Sequence, residues 1–154
     1  MITLKLGPGD SLFTAVISKS VGTSKIWLVD ADSYATTAMQ PYTDLIDYLQ
    51  QQGLSVALKV MPQTLMELLK ACHAEYLSDG VLSLTHLPTN SVDYCFSNAV
   101  LEHIPKQDFA LLTKELSRVM KPDGVSVHRV DLRDHLGGDE QSPVYRQNLG
   151  GFTV

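Results

Sequence analysis

Short apolar runs alternate along this chain with stretches whose apolar residues recur every three or four positions, so strands alternate with helices. Ile2 to Leu6 reads as a strand that ends in Gly7-Pro8-Gly9. After Asp10, the residues Leu12, Phe13, Val16 and Ile17 fall at helical spacing as far as Gly22. Lys25 to Asp30 reads as a second strand, with an unbroken apolar centre that suits burial on both faces. Thr43 is placed to cap a helix bearing Leu45, Ile46, Tyr48 and Leu49 up to Gly53. Thr64 with Glu67 matches a capping box opening another helix with Leu65, Leu68 and Leu69. Between them, Ser55 to Val60 reads as a strand or an extended connector, the connector being preferred. A third strand covers Ala74 to Leu77, broken at Asp79-Gly80. Pro88 to Asn90 reads as a turn, and Val92 to Phe96 as a fourth strand. Asp108 opens a helix whose stripe carries Phe109, Leu111, Leu112, Leu116, Val119 and Met120. Lys121-Pro122-Asp123-Gly124 stops it, and Val125 to Val130 is the fifth strand. Beyond it the chain is rich in Gly, Asp, Gln and Asn, without periodicity.

This alternation implies parallel pairing through right-handed crossovers. The expected fold is α/β, a Rossmann-like doubly wound sheet of at least five mainly parallel strands with helices on both faces. In such sheets ligands bind outside the carboxyl ends of the strands, where strand order reverses. The residues just after each strand are therefore the ones to read for chemistry.

Composition narrows the classes. The 154 residues suffice for one domain with a core and are too few for two ordinary ones, so a single domain over 1–154 is expected. At 44% hydrophobic and 19% charged, the chain has the make-up of a globular protein. No apolar run reaches the roughly eighteen residues of a membrane span, and no basic segment leads into an apolar one at the start. A cytoplasmic protein without a membrane partner is expected. Twelve Lys and Arg against seventeen Asp and Glu, interspersed, give a charge of -5, which argues against nucleic acid. Cys72 and Cys95 form no metal-ligand pattern, and both are expected to be buried free thiols; no metal site is expected.

The turn Gly7-Pro8-Gly9-Asp10-Ser11 puts glycines where backbone bends sharply and can approach a ligand, at the start of a helix. A dinucleotide fingerprint requires glycine where Leu12 stands, and a phosphate-binding P-loop requires a Gly-Lys-Ser/Thr ending that is absent. Leu12 thus disfavours a nicotinamide-dependent oxidoreductase. Asp30 closes the second strand about twenty residues after the turn, where a carboxylate can accept both hydroxyls of a ribose. Either feature alone also has a purely structural explanation, as a strand-to-helix bend or a loop cap. Together they point to a nucleoside site.

Four separated motifs carry a family resemblance. Leu6 to Ser11, Leu87 to Asp93, Ser97-Asn98-Ala99-Val100-Leu101-Glu102-His103 and Leu116 to Gly124 resemble, in order, successive motifs of class I S-adenosylmethionine (SAM)-dependent methyltransferases. The resemblance implies that Gly7 and Gly9, with Pro8 and Asp10 beside them, line the methionyl part of SAM. It further implies that Asp30, with Ala31, holds the ribose; that Asp79, with Gly80, lies near the adenine; and that Ser97 and Asn98 border the sulfonium. The implied activity is methyl transfer to a small-molecule or sugar-like acceptor by direct displacement, leaving S-adenosylhomocysteine (SAH). The protein's share in such a reaction is to position the acceptor and exclude water.

For a hydroxyl acceptor a general base helps; His103 follows the fourth strand and His128 and His135 fall at the fifth, as candidates for the base or for substrate binding. Each also has a bland reading as a cap or a solvated strand end. Two departures from the family bear on these expectations. Lys5 stands where most members carry an acid, and an ammonium there would repel that of SAM. Only Leu132 to Val154 come after the fifth strand, so the family's C-terminal antiparallel pair is expected to be missing. The fifth strand would then be an apolar edge to be covered by the tail, by a second copy of the chain in a homo-oligomer, or by residues outside this sequence. Sedimentation as a stable monomer with that edge bare would count against this expectation. The alternative function is a non-catalytic SAM or nucleoside-binding module, or a truncated domain that needs a partner.

Overall fold

A computed structural model describes residues 1–132 apart from Lys59. Five strands, β1 (Ile2–Leu6), β2 (Lys25–Val29), β3 (Ala74–Leu77), β4 (Val92–Asn98) and β5 (Met120–Arg129), form one parallel sheet in the order β3-β2-β1-β4-β5. The chain steps outward from β1 through β2 to β3, then returns to the other side of β1. Strand order therefore reverses between β1 and β4, the position from which a crevice opens in doubly wound sheets.

Five helices cover the sheet: α1 (Phe13–Ser20), α2 (Gln40–Gln51), α3 (Leu65–Ala71), α4 (Leu82–Thr85) and α5 (Lys106–Val119). Successive residues of β2 serve opposite cores. Ile26 and Leu28 pack with Val16 of α1 and Ile46 of α2, whereas Trp27 and Val29 pack with Leu84 of α4 and Leu112 of α5. The unbroken apolar run of β2 is thus buried on both faces, as its pattern predicts. Cys72 and Cys95 are free and buried, and burial pushes both thiols up to about 11.

The capping box is present. The Thr64 hydroxyl accepts from the Glu67 N–H at 3.2 Å, and the Glu67 carboxylate reaches back to the Gln63 N–H at 2.8 Å. Other boundaries move. Helix α2 begins at Gln40, because Pro41 sits in the first turn where its fixed φ suits a helix and its missing donor costs nothing. Thr43 lies inside that helix and is not its cap; its hydroxyl donates back to the Met39 carbonyl at 3.3 Å. Helix α5 starts at Lys106, just after Pro105 and two residues ahead of Asp108. Its buried side is Leu112, Glu115 and Val119, while Phe109 is exposed. Glu115 replaces an apolar residue there because Arg118 pairs with it at 2.7 Å and donates to the carbonyls of Leu84 and Leu87. Ile17 of α1 is likewise exposed.

The greatest departure lies in β5. Lys121 to Gly124, a helix stop by sequence, belong to the strand itself as an irregular bulge: Val92 pairs with Met120, but Tyr94 pairs with Val125. Gly124 makes this possible, since a Cβ there would lie 2.9 Å from the Val92 carbonyl oxygen. Val125 and Val127 stay half exposed on β5, and among the described residues no strand pairs with its outer edge. The antiparallel pair expected to be missing would fall on residues outside those described.

Candidate active site

A cavity of about 610 Å³ opens at the carboxyl ends of β1, β2 and β4, at the reversal of strand order. Its organising residue is Asp30, which is 9% exposed. One carboxylate oxygen accepts from the Gly9 N–H at 2.9 Å and the other from the Ala31 N–H at 2.8 Å. Its own N–H donates to the Leu77 carbonyl, and its carbonyl accepts from the Gly80 N–H at 2.8 Å. Three strand ends are thereby drawn together on one residue. Each carboxylate oxygen, having taken one donor, keeps a further acceptor direction.

The glycine turn is shaped for close approach. Gly7 and Gly9 both have positive φ, +61° and +76°. A side chain on Gly7 would collide with Val100, which packs against it from beyond β4; Gly9 faces open space. Lys5 turns aside from this arrangement. Its ammonium donates to the Thr14 hydroxyl of α1 at 2.9 Å and is absent from the cavity lining. Burial lowers its pKa against the opposing pull of Asp30.

Of the residues singled out by sequence, the structure brings Gly7, Gly9, Asp30, Ala31, Gly80, Asn98 and His103 to the cavity. Pro8, Asp10, Asp79 and Ser97 do not line it. Pro8 is buried behind the turn, and Asp10 is exposed with its carbonyl accepting from the Thr36 N–H at 2.9 Å. Asp79 is exposed; its N–H donates to the Ser83 hydroxyl at 3.0 Å. Ser97 is 4% exposed, and its hydroxyl meets His128 Nδ1 at 2.7 Å.

The three histidines separate. His103 sits on a 3₁₀ turn, Leu101–His103, at the cavity wall, with Asp108 of α5 also in the lining. His128 is held in the sheet. Its Nδ1 meets Ser97 and its Nε2 meets the Ser126 hydroxyl at 2.7 Å, and burial holds its pKa below the usual 6.5. It does not line the cavity. His135 lies outside the described residues.

Several lining residues went unread in the sequence. Tyr34, Val100, Ile104, Pro105 and Asp108 all face the cavity. Tyr34, Val100, Ile104 and Pro105 lie in loops, which carry no period to mark a facing side, and Asp108 reads only as the start of a helix. The fourth strand also runs two residues past Phe96, to Asn98, so the wall begins later in the chain than the apolar pattern indicates. There Ala99 adopts a left-handed conformation, φ +52°, and its N–H donates to the Arg129 carbonyl at 2.9 Å. Asn98 and Ala99 also line a second cavity of about 450 Å³, together with Arg129, Val130 and Asp131. Among the described residues no helix is long and apolar enough to cross a membrane, and no cluster of three or more His, Cys, Asp or Glu could hold a metal.

Comparison with known proteins gives one family. The family described as "Methyltransferase domain" matches residues 4–128. Among solved structures, the chain is similar to one described as "DhpI-SAM-HEP complex", at 17% identity and a TM-score of 0.47, covering 99% of this chain and 54% of that one. It is also similar to the "DhpI-SAH complex structure", at 16% identity and a TM-score of 0.45, covering 81% of this chain and 46% of the other. The chain thus spans about half the length of these structures. No curated protein sequence matches it.

Proposed function

The chain belongs to the methyltransferase-domain family, and from that premise we propose that it binds SAM in the larger cavity and directs methyl transfer to a small-molecule or sugar-like acceptor. The observation that carries the reading is Asp30, whose carboxylate bridges the glycine turn and the end of β2 with acceptor capacity to spare. The cavity suits the nucleoside in size, since ligand pockets run to roughly 300–1,000 Å³. Gly9 leaves room beside the carboxylate, and the Lys5 ammonium that would oppose the ligand is tied to Thr14. Bound there, SAM would supply a methyl group activated by its positively charged sulfur, with SAH as the product.

The remaining roles belong to this chain. Asp30, Ala31 and Gly80 hold the ribose and the adenine side, while Gly7 and Gly9 hold the methionyl side and Asn98 borders the reacting end. Pro8, Asp10 and Asp79 act behind the lining, through the turns they shape, and Ser97 through its contact with His128 in the sheet. His103 is the general base, taking the proton of a hydroxyl acceptor from the cavity wall. His128, with both ring nitrogens engaged, is a positioning residue. A cytoplasmic location and the lack of a nucleic-acid partner belong to the same reading, the second of them supported by the charge of -5.

Calorimetric titration with SAM and SAH tests the proposal. Both are expected to bind, NAD is expected not to, and His103→Gln is expected to lower turnover about a hundredfold with SAH affinity intact. Failure of both SAM and SAH to bind overturns the reading. Binding without turnover on any hydroxyl acceptor moves it to the non-catalytic module.

A further inference from the structure

We propose that the second cavity receives the methyl acceptor and that Arg129 selects an acceptor bearing an oxyanion, a carboxylate or a phosphate. This rests on the reading of the first cavity as the SAM site. The two cavities share Asn98 and Ala99, so a molecule seated in the second abuts the reacting end of the first. Their linings differ in kind. Leu6, Val29, Leu84 and Leu112 make much of the first wall, whereas Asn98, Arg129 and Asp131 dominate the second.

Charge decides what the second cavity favours. Arg129 makes no ion pair and no side-chain hydrogen bond among the described residues, in a chain of net charge -5. Two acidic groups lie nearby: Asp131, in the same lining, has a partner, and Glu102 accepts from the Asp131 N–H at 2.9 Å through Oε1, while its buried Oε2 has no hydrogen-bond partner among the described residues. Arg129 is the one cation of that lining among the described residues, and the planar fork of donors on its guanidinium matches a carboxylate or phosphate edge.

The backbone beneath Arg129 is fixed. Asn98 lies beside it in register on β4, the Arg129 carbonyl holds the left-handed Ala99, and Glu102 ties the next turn of chain to the 3₁₀ segment that carries His103. A selecting group on such a support is held relative to the base.

The test uses SAH-saturated protein titrated with butyrate, with inorganic phosphate and with butylammonium. At least one of the two anions is expected to bind. Its affinity should fall about tenfold or more in Arg129→Gln, remain partly in Arg129→Lys, and stay unchanged in Lys70→Gln, a lysine outside both linings. Response to butyrate alone assigns a carboxylate, and to phosphate alone a phosphate. If neither anion responds to Arg129→Gln while SAH still binds, or if butylammonium binds instead, the inference is overturned and the SAM reading stands. A loss of SAH affinity in Arg129→Gln assigns the guanidinium to the amino-acid end of the cofactor and also overturns it. Failure of SAH to bind the unaltered protein removes both proposals.

Discussion

The two halves of the cavity are built by different means. On the β1–β2 side, one short turn and one aspartate do the work: Gly9 and Gly80 tie the ends of the two strands beside β2 to Asp30, and Ala31 donates to it from the next position. On the β4–β5 side the wall is a left-handed alanine, a 3₁₀ turn and a bulged strand, held by the Arg129 carbonyl and by Glu102. The first half is fixed by backbone donors that converge on one residue, Asp30, and the second by a strand register and a kinked turn. Binding is accordingly expected to be most sensitive on the first side, and acceptor choice on the second.

Removing Asp30 is the sharpest way to break this contrast. Asp30→Ala takes away two charge-assisted hydrogen bonds to backbone and the proposed ribose contact. SAH affinity is expected to drop about a hundredfold and stability by about 2 kcal/mol, read by calorimetry and by denaturant titration. Near-normal SAH affinity in a folded variant would show that the β1–β2 half does not hold the nucleoside.

Gly7 stands where the halves meet, since Val100 packs against it from beyond β4. Gly7→Ala must place a Cβ on backbone at φ +61° and displace Val100. A loss of about 2 kcal/mol is expected in thermal or denaturant unfolding. An unchanged melting temperature would mean that the β4 side yields freely, and that the junction is softer than its packing implies.

The smallest effect is expected at His128. Burial lowers its pKa in the folded state below 6.5, so the unfolded chain binds the proton more readily. Stability from the neutral ring is fully present above pH 6.5 and is lost as pH falls through that region toward the folded value. His128→Gln should flatten this part of the stability profile by less than about 1 kcal/mol, because the ring is only partly buried. An identical profile in the variant would remove His128 as a coupling between protonation and the β4–β5 pairing.

Legibility in the sequence divides along the same line. The doubly buried β2, the Thr64–Glu67 cap, the glycine turn and Asp30 are all signalled by residues close together in the chain, and each stands where its pattern puts it. Thr43 and Asp108 mislead because prolines nearby start the helices earlier, at Gln40 and Lys106. Phe109 misleads because helical spacing marks an apolar stripe without saying how the helix is rotated on the sheet, and the paired Glu115 occupies the buried side instead.

Local composition was enough to determine a parallel α/β sheet with a glycine turn and an aspartate at the ends of its first two strands, because hydrophobic period, turn glycines and caps act over a few residues. The tertiary structure alone decided that Lys5 points away from the cavity, that Lys121 to Gly124 are strand, and that Asn98, Ala99 and Arg129 enclose a second cavity. Each of those depends on pairing between segments far apart in the chain. The free energy of such a pairing belongs to both partners and is visible in neither one alone.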